Sequence, residues 1–152
     1  MQIETLTAGQ SPEAVRHHTA LIKRYFGVQE THDIDTWAEM WTEDAVFRAP
    51  YGPSSFPDKF EGRDVFVPMF RELFEGYGTV KIGGIDVYAA PDPGVFAAVW
   101  DVSIEIKATG LRYESRNFGI FRFRGDQIED FVEYFNPLKF AKAAGLDLTA
   151  DL

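Results

Sequence analysis

From Val95 to Lys107 the chain divides into two interleaved sets of residues. Phe96, Ala98, Trp100, Val102, Ile104 and Ile106 form one set, and Val95, Ala97, Val99, Asp101, Ser103, Glu105 and Lys107 the other. A period of two places each set on its own face of a strand. The first set predicts a buried face. The second begins apolar and ends charged, which predicts a surface partly covered by a second subunit. Another strand, Val80 to Ala89, precedes it across the turn Pro91-Asp92-Pro93-Gly94. Two more follow in Tyr113 to Leu138, joined by a Gly125-Asp126 turn.

The first half of the chain has a different period. Ser11-Pro12-Glu13 supplies an N-cap serine, a proline at the first helical position and an acidic first turn. Ala14, Leu21, Ile22, Tyr25, Phe26 and Val28 then give a helical stripe. Asp33-Ile34-Asp35 restarts the helical pattern, with Trp37, Met40 and Trp41 on one face. Ala45 to Ala49 reads as a short strand, and Tyr51 to Glu61 as an irregular loop holding Pro53 and Pro57. A third helix is predicted from about Asp64, on the spacing of Val65, Met69, Leu73 and Phe74, ending at Gly76 and Gly78. Lys139 to Ala144 reads as a short tail helix.

Helices first and strands later predict an α+β fold with a largely antiparallel sheet. Gly83, Gly84 and Gly119 would let long strands curl around the helices. The expected architecture is a cone-shaped α+β barrel. Its curled antiparallel or mixed sheet packs on three N-terminal helices around a single pocket. At 152 residues, one domain spanning 1–152 is expected.

Composition removes several function classes. The net charge of −9 argues against nucleic acid or an anionic membrane as partner. With no cysteine there is no disulfide framework, thiolate nucleophile or cysteine metal site. The N-terminal stretch MQIETLTAGQSPEAV lacks the basic and apolar segments of a signal peptide, and no apolar run approaches a membrane span. A cytoplasmic protein is expected. His17, His18 and His32 have no metal-ligand spacing and read as surface residues. Gly83-Gly84 lies inside a strand pattern, with no following helix to cradle a phosphate. No cofactor is expected.

Aromatic residues make up 15% of the chain, enough for a cavity lined with rings. Glu133 shares a strand face with Phe131 and Phe135, and Glu129 shares that side near the turn. A carboxylate between phenyl rings is costly unless it finds partners or shifts its pKa upward. The alternative is a cross-strand pair with Arg116 or Arg122. Asn117, Ser115 and Gly119 share a face with Phe121 and Phe123 and are candidate ligand contacts, Gly119 by leaving room. Trp41, Phe47, Tyr51, Trp100 and Phe135 are candidates for the pocket wall, although core packing would explain any one of them.

Taken with "WTEDAVFRAP" and "EYFNP", the chain resembles the nuclear transport factor 2-like (SnoaL-like) cone fold over nearly its whole length. Within that superfamily it is most similar to the phenazine-biosynthesis A/B family. The residues that carry this are Asp92-Pro93-Gly94-Val95-Phe96, Tyr113-Glu114, Phe121, Phe123, Ile128 and Glu133-Tyr134-Phe135-Asn136-Pro137. The resemblance places that family's acid/base glutamate on Glu133. The family's histidine partner has no counterpart, since no histidine follows His32. Arg24 to Pro50 also resembles ketosteroid isomerases, which places their oxyanion-hole tyrosine on Tyr25. Their base falls on Ala49 and their neutral aspartic acid on Gly119. The Asp-Arg-Asp set of limonene epoxide hydrolases would have to use Asp101 and Arg116, both on the face read as outer.

The resemblance and the residues together predict a cofactor-independent acid/base enzyme of the isomerase, cyclase, dehydratase or condensation type. Its substrate would be a small, largely apolar or aromatic metabolite. Glu133 would move the proton, Tyr25 would stabilise oxyanion charge, and Asn117 would orient the substrate. The alternative is a non-catalytic binding protein using the same pocket, and a pure interaction module with a filled cone is a third reading. A homodimer through the outer sheet face is expected.

Overall fold

The computed structural model describes residues 9–54 and 56–149. The first eight residues of the stretch read for a leader lie outside the described residues. Four helices and six strands follow the order α1 (Pro12–Glu30), α2 (Ile34–Glu39), β1 (Trp41–Arg48), β2 (Lys59–Glu61), α3 (Arg63–Glu75), β3 (Tyr77–Ala89), β4 (Val95–Ile106), β5 (Arg112–Arg124), β6 (Gln127–Tyr134) and α4 (Pro137–Ala144). The fold is α+β, with a curled, unclosed sheet wrapped on the helices.

The predicted Ser11 cap forms, and Asp33 caps the next helix in the same way. The Ser11 hydroxyl accepts from the Ala14 backbone N–H at 3.1 Å, and the Asp33 carboxylate accepts from Thr36 N–H at 3.1 Å. Each satisfies a donor that the first helical turn leaves free. Trp41 departs from the expectation. It opens β1 instead of continuing α2, because the helix ends at Glu39 and the strand begins four residues before Ala45. β2 was not foreseen. Its three residues pair with β1 from within the stretch read as an irregular loop.

The sheet order is β2-β1-β6-β5-β4-β3. β3, β4, β5 and β6 form an antiparallel meander, while β1 runs parallel to β6, so the sheet is mixed. Two of its four register irregularities bear on the site. The register of β3 on β4 shifts between Gly83 and Asp86, where Gly84 takes a positive φ of 55°. A β-bulge of this kind bends the strand and increases its twist. The second shift lies in the β5–β6 pair, where Arg122 faces Asp130 but Phe123 faces Ile128. Glu129 is the extra residue, so it leaves the side predicted for it and pairs with Arg124 at 2.9 Å. Ile128 is fully buried in its place.

The concave side of the sheet carries the core. Phe26, Trp37, Trp41, Phe66, Phe96, Phe121, Phe131, Ile22 and Ile128 are the largest fully buried side chains. Their rings meet mostly edge-on or tilted, as aromatic quadrupoles favour. No described helix is long and apolar enough to cross a membrane.

Candidate functional site

The core does not fill the cone. Between α1, α3, residues 49–53 and 56–60, and the concave faces of β4–β6 lies a cavity of about 570 Å³. This is within the usual range for a small-molecule site. Its walls are mainly aromatic and aliphatic, with Phe26, Phe47, Phe70, Trp100, Ile104 and Phe135 among them. The polar side chains are few: Tyr25, Gln29, Glu72, Tyr77, Tyr113, Asn117 and Glu133. Glu72 is exposed, whereas Glu133 lies inside. Among the described residues the lining contains no lysine, arginine or histidine.

Glu133 reaches this position because β6 pairs with β5 so that Glu133 faces Gly119, whose neighbours on that face are Asn117 and Phe121. Protein encloses the carboxyl, which is partly accessible but poorly hydrated. Desolvation pushes its pKa up to about 7, and a hydrogen bond from Asn117 offsets only part of that. The Asn117 amide lies 3.5 Å from Glu133 Oε1, at the long limit for such a bond. Neither arginine considered as a partner is bonded to it among the described residues. Arg116 is held on the outer face by Asp86 at 3.0 Å and Asp101 at 3.1 Å.

Asn117 is itself oriented. Its Oδ1 accepts from the Ser115 hydroxyl at 2.7 Å and from the Tyr113 hydroxyl at 3.3 Å. Two donors on the carbonyl leave the amide N–H groups for Glu133. The β5 side chains at 113, 115 and 117 thus form a chain of hydrogen bonds that ends at the carboxyl.

Three phenols border the same space. Burial raises the pKa of Tyr25 well above its ordinary value, and the Glu133 charge raises it further. Tyr77 is raised by the same two causes in the same order, with a smaller push from Tyr113. Tyr113 is also raised, chiefly by burial. All three are therefore neutral hydroxyls at physiological pH. Tyr77 and Tyr113 were not singled out as site residues in the sequence. Tyr77 stands between Gly76 and Gly78, which read as a helix end, although it begins β3 and packs on Phe74 with ring centres 5.1 Å apart.

Of the residues proposed from sequence, Glu133, Tyr25, Asn117, Phe47, Trp100 and Phe135 line the cavity. Four do not. Trp41 is fully buried among Tyr25, Trp37, Phe66 and Phe131, because as the first strand residue it points into the packed end of the cone. Tyr51 is 57% exposed and meets Tyr134 instead. Ser115 acts from behind, through Asn117. Gly119 does not leave room for a ligand, since Phe131 and Trp100 occupy that space: an added Cβ would lie 2.6 Å from Phe131 Cε1 and 3.0 Å from Trp100 Cη2.

The histidines lie elsewhere. His17 pairs with Asp126 at 2.7 Å, His18 meets the Gly125 carbonyl, and His32 meets the Gly78 carbonyl. Among the described residues no group of three histidine, cysteine or acidic side chains converges to hold a metal.

Known proteins share this fold. A PhzA/B-like protein of Pseudomonas aeruginosa is 25% identical over 116 residues, which cover 76% of this chain and 82% of that protein. A Bacillus subtilis protein provisionally assigned as an isomerase superposes with a TM-score of 0.83 at 22% identity, covering 89% of this chain and 97% of the other. A nuclear transport factor 2-like protein of Burkholderia xenovorans gives a TM-score of 0.65 at 15% identity, over 85% of this chain and 96% of its own. The SnoaL-like domain family matches residues 22–131, and with this the chain belongs to the SnoaL-like domain family, within the nuclear transport factor 2-like fold.

Proposed function

We propose that this chain is an acid/base enzyme that works with its own side chains on a small, largely apolar metabolite. The reaction class is isomerisation, cyclisation, dehydration or condensation. The observation that carries the reading is the Glu133 carboxyl, enclosed at the wall of an aromatic cavity with its pKa raised to about 7. A group that titrates near the working pH is the most effective proton carrier, contributing roughly 10²–10⁴ in rate. The PhzA/B-like relative and the isomerase-assigned neighbour support this class.

In the simplest such step the Glu133 carboxylate takes a proton from carbon beside a substrate carbonyl. The electron pair passes to the carbonyl oxygen, and Tyr25 stabilises the charge that forms there by donating a hydrogen bond. Where a neighbouring carbon–carbon double bond extends the enolate, the Glu133 carboxylic acid then returns the proton at its far carbon as the double bond shifts, leaving the enzyme unchanged. Asn117, expected to orient the substrate, is better placed to hold Glu133 at one angle.

Glu133→Gln removes the proton carrier while keeping the shape. Turnover of any substrate found by screening neutral apolar metabolites is expected to fall at least about 100-fold, with binding retained. A second reading, a binding protein that carries its ligand unchanged, is favoured by the missing histidine partner. It expects equal ligand binding in both proteins and no reaction in either.

The outer sheet face supports a homodimer: Val95, Ala97 and Val99 are only half-buried there, beside Phe118 and Ile120 at 38% and 37% exposure. A monomer by light scattering at micromolar concentration would refute the dimer. The cysteine-free sequence supports a cytoplasmic location.

A further inference from the structure

The hydroxyls at the polar end of the cavity are not equally occupied. The Tyr113 hydroxyl is committed to Asn117, and the Asn117 carbonyl is shared between Ser115 and Tyr113. Tyr77 differs. It is 6% exposed, it lines the cavity, and among the described residues its hydroxyl meets no hydrogen-bond partner. It shares the cavity wall with Tyr113, Asn117 and Glu133, which places it at the polar end. A hydroxyl that reaches an apolar cavity without a protein partner is free to donate to a ligand.

The charge inventory adds a second constraint. With no cation on the lining and one carboxyl inside, a ligand carboxylate would be desolvated with nothing to balance it. A neutral oxygen acceptor meets neither penalty.

We propose that Tyr77 is a ligand-binding residue that donates to a carbonyl oxygen, and that the cavity takes neutral ring compounds bearing a ketone while rejecting carboxylated analogues. This deepens the reading of the cavity as a small-molecule site but does not depend on turnover. Tyr77, reaching in from the start of β3, would fix the carbonyl near Glu133, while the rings of Trp100 and Phe70 hold the apolar body.

Three probes with one ring system test this: 2-acetylnaphthalene, 2-ethylnaphthalene and 2-naphthoate, titrated by ligand-observed NMR at pH 8. The ketone is expected to bind at least about tenfold more tightly than the carboxylate. Tyr77→Phe is expected to weaken the ketone about tenfold and leave 2-ethylnaphthalene unchanged. Retained binding of 2-ethylnaphthalene also shows that the variant is folded. Equal affinity for 2-naphthoate overturns the charge exclusion, an unchanged ketone affinity in Tyr77→Phe overturns the assignment of Tyr77, and failure of all three to bind overturns both. Ketone binding through Tyr77 with no reaction found leaves this inference standing and sinks the catalytic reading instead.

Discussion

Arg116 and Asn117 are neighbours on β5, yet they face opposite sides of the sheet and treat carboxylates in opposite ways. On the outer face Arg116 bridges Asp86 and Asp101 in the presence of water, and all three side chains are substantially exposed. On the inner face Asn117 offers Glu133 one amide at 3.5 Å, among rings. An arginine inside would have held Glu133 ionised through the whole physiological range. The amide leaves it able to gain and lose a proton near neutrality. One strand therefore separates an exposed ion-pair cluster from the partner of a desolvated carboxyl by a single residue.

That contrast can be broken at several points, and Glu133 should give the largest effect. Its folded pKa of about 7 stands above the ordinary 4.5, so the folded state holds a proton that the unfolded state has lost. The stability that this proton represents is fully present below about pH 4.5 and is lost as pH rises through about 7. At 1.36 kcal/mol per unit the loss is about 3 kcal/mol. Urea unfolding at pH 4 and pH 8 should show it in the native chain and not in Glu133→Gln. A slope that survives in the variant would mean that another group carries it.

The next effect lies where the inner face is tightest. Gly119→Ala must displace Phe131 or Trp100, and overpacking of this kind costs about 2 kcal/mol. A thermal melt unchanged by that substitution would show that the rings can move aside. Asn117→Ala removes the acceptor shared by Ser115 and Tyr113 as well as the donor to Glu133. Its expected cost is about 1 kcal/mol, with the Glu133 pKa rising further, as a carboxyl-resolved NMR titration would show. A fall in that pKa would mean that Asn117 shields Glu133 from water more than it solvates it. The smallest effect belongs to the outer face: Arg116→Ala should leave the urea midpoint unchanged within error, since solvent already screens the cluster. A large shift there would mean that the outer face is covered by a second subunit.

The sequence made some of this legible and hid the rest. Helix starts were readable because Ser11 and Asp33 cap through contacts three residues away. The buried face of β4 was readable because alternation is a local property. Glu133 was found by the same reasoning, as a charge placed between Phe131 and Phe135. What failed depends on distant residues. Trp41 could not be told from a helical residue until β6 supplied its partner, Ile128. Gly119 gave no sign that rings from β4 and β6 would converge on it. Tyr77 was obscured by its flanking glycines, whose helix-ending signal outweighed a single aromatic. Ser115 was placed on the right face but one bond away from the cavity.

The bulge at Glu129 sets the phase of everything that follows it. Counted by twos from the buried Ile128, the inward residues would be Asp130, Val132 and Tyr134, and Glu133 would point to solvent. With one extra residue the count restarts at Phe131, and Glu133 falls inside. Deleting the single codon for Glu129 would therefore remove the bulge and leave Ile128, Phe131 and Glu133 on the same inner face in regular alternation. For a lineage of such chains, the interior carboxyl survives loss of the bulge residue, whereas a one-residue slip of β6 on β5 would turn it to solvent without altering any cavity residue.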